Sequence, residues 1–100
     1  MSPGAVAWAL AGALFVMGLA GLALRRQLLA MLLGLELMTN AVNVAIAYEA
    51  RVRADAAGLA AVFLLLAVAA CEAVVGLSLI IALSRDFSAA DTAEIRDLRG

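Results

Sequence analysis

Residues 28–48 read LLAMLLGLELMTNAVNVAIAY, a run apolar enough for lipid with Glu36 near its middle. Thr39, Asn40 and Asn43 follow Glu36 at spacings of three, four and seven residues. At about 100° of helix per residue these four share one face, and Leu, Met, Val and Ile take the other. A second carboxyl, Glu72, stands near the centre of another apolar run, residues 59–83. Carboxyl groups can carry protons, and hydroxyl and carboxamide groups beside them can hold water or tie helices together.

Placing such a group in hydrocarbon has a cost. A charged side chain at mid-bilayer costs about 2.5–3.5 kcal/mol, and each Leu, Ile, Val or Phe returns only about 0.3–0.6. The runs can still insert, but each Glu must pair with a cation, face water or take a proton. The chain has no Lys, and its basic residues are Arg25, Arg26, Arg51, Arg53, Arg85, Arg96 and Arg99, all outside the apolar runs. No cation within the runs can neutralise Glu36 or Glu72. Removal from water penalises the charged form of a carboxyl, so an unpaired buried Glu is a natural site of proton exchange. The remaining option is a cation supplied by another polypeptide.

The two carboxyls lie at similar depth. Glu36 is about 15 Å along a helix from Arg26, and Glu72 is about 20 Å from Arg85. Directly packed helices would leave them on the order of 10 Å apart, too far for a direct proton jump and within reach of a short water chain. A single intramembrane Glu can also serve as a protonated group that joins helices. Two at matched depth, one with a Thr-Asn-Asn stripe, favour a proton path. For Asn40 and Asn43, interhelical bonding and lining a hydrated path both stand. Cys71 reads as a small packing residue, and Gly76 as a point of close approach.

These residues need elements to hold them. The 100 residues are 67% hydrophobic and 15% charged, against about 45–50% apolar for a soluble domain. The chain therefore reads as an all-α membrane protein: one membrane domain, residues 1–100, with spans at about 4–24, 28–48 and 59–84 and a polar tail at 85–100. The first apolar run begins without a positive stretch and reads as a span, not a signal peptide. Its Ala5, Ala9 and Ala13 repeat at four-residue spacing, a pattern that lets helix backbones approach. Only Arg25, Arg26 and Gln27 separate the first two spans, which must form an antiparallel hairpin. A polar connection at 49–58 precedes the third span, and 91–99 has helix formers for one or two turns.

Five Arg fall on the side of the first loop and tail and two on the side of the second loop. That asymmetry places the N-terminus outside and the C-terminus in the cytoplasm. Trp8 and Tyr48 then lie at the outer interface and Phe87 near the inner one. With no His and one Cys, a zinc, haem or iron–sulfur site built by this chain alone is disfavoured. The net charge of −1 argues against nucleic-acid binding. Three helices cannot cover Glu36, Thr39, Asn40, Asn43 and Glu72 on all sides, so the chain reads as a subunit embedded among other membrane proteins.

Two segments resemble a known family. Gly34-Leu35-Glu36-Leu37-Met38-Thr39-Asn40-Ala41-Val42-Asn43 is similar to the second-span signature of the subunit K family of respiratory complex I. Ala70-Cys71-Glu72-Ala73-Val74-Val75-Gly76-Leu77 is similar to its third-span signature, and Arg25-Arg26 to its basic first loop. Thr39 departs from the family pattern, which usually has an apolar residue there. The resemblance implies a non-redox subunit of a proton-pumping NADH:quinone oxidoreductase in a bacterial inner membrane. It implies that Glu36 and Glu72 belong to the hydrophilic axis coupling quinone chemistry to proton movement, and that Arg25 and Arg26 tune its cytoplasmic end. It implies neighbours of the subunit J, A, H and antiporter-like N types, with FMN, iron–sulfur clusters and quinone held by other chains. The related C-type subunit of multi-subunit sodium/proton antiporters usually lacks the glutamate at the position of Glu36. A membrane-bound hydrogenase subunit and a purely structural scaffold remain as further alternatives.

Three spans place the two ends on opposite sides of the membrane. Cysteines introduced at Ser2 and Ser88 are expected to react with an impermeant label from opposite faces, and labelling of both from one face would refute the topology.

Overall fold

The structure, a computed structural model, describes the backbone of residues 1–99 and the side chains of residues 1–85. It consists of helices α1 (Pro3–Leu24), α2 (Leu28–Val52) and α3 (Ala56–Arg99). In lipid no water is present to satisfy backbone groups, so apolar runs of this length close their hydrogen bonds internally as helices. α1, α2 and the Ala56–Arg85 portion of α3 contain 22, 25 and 30 residues, each long and apolar enough to cross a membrane. The expected three spans are therefore present. The polar character of the tail and the interfacial position of Phe87 lie outside the described side chains.

Local chemistry sets the helix ends. Ser2 caps α1, its Oγ accepting the Ala5 N–H at 3.1 Å, and Pro3 occupies the first turn, where no backbone donor is needed. Arg25 and Gln27 adopt extended backbone and turn the chain straight into α2.

The α2–α3 link is tighter than the sequence suggests. Rather than a ten-residue connection, α2 continues through Glu49, Ala50, Arg51 and Val52. None of these four breaks a helix, and Glu49 Oε2 meets Arg53 Nε at 3.3 Å one turn on. The helix closes by a Schellman pattern. The Asp55 N–H donates to the Ala50 carbonyl at 2.8 Å, and the Ala54 N–H donates to the Arg51 carbonyl at 3.2 Å. Ala54 takes the left-handed conformation, φ 52°, a position that favours glycine. Asp55 then opens α3, its Oδ1 accepting the Ala57 N–H at 3.1 Å.

α2 is the central helix. α1 packs on one side of it and α3 on the other, and among the described residues α1 and α3 do not touch. The α1–α2 seam is closest where Gly18 meets Gly34. A Cβ on Gly18 would overlap the Gly34 carbonyl oxygen and stand 2.8 Å from the Met38 nitrogen. The packing stripe on α1 runs through Ala11 and Gly18, both buried, whereas Ala5, Ala9 and Ala13 are exposed. The four-residue alanine repeat thus faces away from this chain's other helices. Gly18 supplies the closest approach because it lets carbonyl and amide groups of the two backbones meet directly.

The result is a row of helices rather than a bundle, 68 × 26 × 12 Å in extent. The 26 Å width is what three helices side by side occupy at separations of about 8–10 Å. Both broad faces are open, and many large apolar side chains are exposed, Phe63 (72%) and Val74 (66%) among them. Lipid or neighbouring proteins must cover this surface.

Ala54→Gly should relieve the left-handed strain and stabilise the link by about 1 kcal/mol. The expected readout is a higher thermal aggregation temperature in detergent, with Ala54→Val giving a lower one.

Candidate functional site

The contact with α1 orients the polar stripe. Glu36 follows Gly34 by two residues and Asn43 follows Ala41 by two, and two residues turn a helix by about 200°. Gly34 and Ala41 are buried on the α1 side. Seating them there turns Glu36 and Asn43 to the opposite side, where α3 packs.

The stripe then divides. Glu36 is half-buried, and its Oε1 is covered without a hydrogen-bond partner. Asn43 is 6% exposed, and both its Oδ1 and Nδ2 lack partners. Thr39 is half-buried, and its hydroxyl donates to the Leu35 carbonyl at 3.1 Å. Asn40 is exposed. Buried polar atoms are nearly always satisfied in native proteins, by protein or by ordered water. Among the described residues, Glu36 and Asn43 carry the covered side-chain polar atoms left without a partner.

Glu72 lies in the neighbouring space. It is exposed to an open groove of about 750 Å³ between α2 and α3, with Leu32, Leu35, Thr39, Cys71 and Gly76 among the lining residues. Leu32 fills the space over Gly76, where a Cβ would come within 2.8 Å of Leu32 Cδ1. Gly76 therefore lets α3 sit close to α2 just beyond Glu72. Cys71 is exposed and lines the groove rather than packing inside the chain.

The structure brings Glu36, Thr39 and Asn43 onto the α3-facing side of α2 and puts Glu72 and Thr39 in one groove. Arg25 and Arg26 stand apart from them, exposed in the α1–α2 link. At the other end of the hairpin, Trp8 Nε1 donates to Glu49 Oε1 at 3.3 Å, completing a Trp8–Glu49–Arg53 cluster. The four-residue spacing of Glu49 and Arg53 was the available sequence signal for it, obscured by reading that segment as a connection. Among the described residues no group of His, Cys, Asp and Glu is arranged to hold a metal ion.

Three membrane-crossing helices in a row, with buried carboxyl and amide atoms left unsatisfied and wide apolar faces open, define a multi-pass membrane subunit. Residues 6–100 match the model of the family described as NADH-ubiquinone/plastoquinone oxidoreductase chain 4L, and the chain belongs to that family. Relatives carry the name NADH-quinone oxidoreductase subunit K. One from Sulfurihydrogenibium sp. is 43% identical over 93 residues, 92% of each chain. One from Thermodesulfovibrio yellowstonii is 44% identical over 91 residues, 91% of each chain. One from Deinococcus radiodurans is 38% identical over 100 residues, covering all of this chain and 97% of its own.

A side chain at Gly34 would drive α1 off α2 and rotate Glu36 out of place, since its Cβ would stand 2.8 Å from the Leu22 nitrogen. Gly34→Val should cost about 1–3 kcal/mol of packing. Less of the chain should accumulate in membranes by immunoblot, and Gly34→Ala should be milder.

Proposed function

We propose that this chain is a non-redox membrane subunit of a proton-translocating NADH:quinone oxidoreductase, in which Glu36 and Glu72 carry protons along an axis running between subunits. The observation that carries the reading is the pairing of a covered, unpartnered Glu36 Oε1 with a buried, unpartnered Asn43 amide inside an apolar helix row. A carboxyl group in that setting, with every arginine outside the apolar runs, holds and passes on a proton only where water or a neighbouring subunit supports it. Asn43 offers both a donor and an acceptor to such water. Glu72, open to the α2–α3 groove, depends on a partner for the rest of its surroundings. Redox chemistry, with FMN, iron–sulfur clusters and quinone, belongs to other subunits. The names of the relatives support the complex.

The same reading gives the remaining residues their parts. Subunits of the J, A, H and N types cover the two open faces, and the exposed Asn40 meets one of them. The bacterial inner membrane holds the chain with its N-terminus outside and its C-terminus in the cytoplasm, following the arginine asymmetry. Arg25 and Arg26 fix that orientation and set the potential at the cytoplasmic end of the path.

Glu36→Gln keeps the size and hydrogen bonding of the side chain and removes its titrating proton. Proton pumping and coupled quinone reduction, normalised to assembled complex, should fall close to zero in Glu36→Gln and less severely in Glu72→Gln. Glu36→Asp should keep part of the activity. Wild-type pumping by Glu36→Gln would make residue 36 a helix-joining group and the chain a scaffold.

A further inference from the structure

We propose that the Thr39 hydroxyl anchors the water that passes protons between Glu36 and Glu72, which makes Thr39 a positioning residue for their exchange. The inference rests on the proton-carrying reading of the two glutamates and adds a residue to it. Its first support is placement. Thr39 follows Glu36 by three residues, about 60° around α2 and 4.5 Å along it, and it lines the same groove as Glu72. No other residue of the polar stripe lines that groove.

The second support is the composition of the groove. Leu32, Leu35, Val68 and Val75 make its wall largely apolar. Water stays in such a space only where polar groups hold it. Besides Glu72 itself, the groove offers the Thr39 hydroxyl and the weakly polar Cys71 thiol.

The third support is the state of the hydroxyl. Its proton is committed to the Leu35 carbonyl at 3.1 Å, which leaves its lone pairs as acceptors. A water that donates one hydrogen to Thr39 keeps its other hydrogen and its lone pairs for the two carboxyls. Protonated Glu36 gives its O–H proton to a lone pair of this water, and the water gives its free hydrogen to the Glu72 carboxylate. Glu36 ends as the carboxylate, Glu72 as the acid, and the water is regenerated. At a separation on the order of 10 Å, one or two further waters complete the link.

Thr39→Val preserves shape and deletes the hydroxyl, and Thr39→Ser keeps the hydroxyl. Both would be made in the assembled complex, reconstituted in vesicles, beside Glu36→Gln. Loss of one hydrogen bond to the transferring water should lower proton pumping and coupled quinone turnover per complex by roughly three- to tenfold in Thr39→Val. The solvent deuterium isotope effect on turnover should rise in the same variant. Thr39→Ser should restore both, and if Thr39→Val assembles poorly, Thr39→Ala serves as the hydroxyl-free variant. Wild-type turnover and isotope effect in Thr39→Val, with Glu36→Gln inactive, would overturn the role of Thr39 and leave the glutamate reading standing. Equal slowing by Val and Ser would also overturn it, since shape and not the hydroxyl would then be at work. Wild-type pumping by Glu36→Gln would overturn both.

Discussion

A carboxyl group inside a bilayer must be given a cation, water or a proton, and this chain supplies no cation. Every arginine lies outside the apolar runs. The rest of the structure follows from how that demand is met. A protein built only for stability would have an apolar residue at position 36, since a Glu there works against insertion by about 2.5–3.5 kcal/mol. Glu36 instead sits on the α3-facing side of α2, about two turns from the buried Asn43, and the covered polar atoms of both lack a partner among the described residues.

The helix row turns this demand into a need for neighbours. Because α1 and α3 take opposite sides of α2, nothing among the described residues closes over the broad faces of the row. Glu72 opens onto a groove, and Asn40 is exposed. An embedded subunit profits from such a shape, since both faces of α2 and α3 stay within reach of other chains. The Gly18–Gly34 contact is the fixed part of the arrangement. Two backbones in direct contact leave little freedom for α2 to rotate, so the azimuth of Glu36 is set by residues that carry no chemistry.

Much of the fold could be read from residue order, because the signals were local. Hydropathy marks three spans, and the backbone's need for internal hydrogen bonds in lipid makes each one a helix. The three residues between the first two spans leave no choice but a hairpin. Where the reading went astray, the deciding contact was tertiary or the local signal was balanced. Small residues occur on α1 at several phases, so Ala5, Ala9 and Ala13 looked as fit for packing as Ala11 and Gly18. The end of α2 looked polar and therefore loop-like, yet its residues favour helix until the left-handed turn at Ala54.

The candidate site divides the same way. By itself the sequence determined that Glu36, Thr39, Asn40 and Asn43 share a helix face, because helical periodicity is a property of one chain segment. It determined that no counter-charge was available, because composition is complete without folding. Only the tertiary structure decided that Asn43 is buried while Asn40 is exposed, and that Thr39 shares a groove with Glu72. These outcomes depend on where α1 and α3 contact α2, and that is set by the fit of Gly18 to Gly34 and of Leu32 over Gly76. Periodicity gives the angle of a side chain about its own axis, whereas burial depends on what stands opposite.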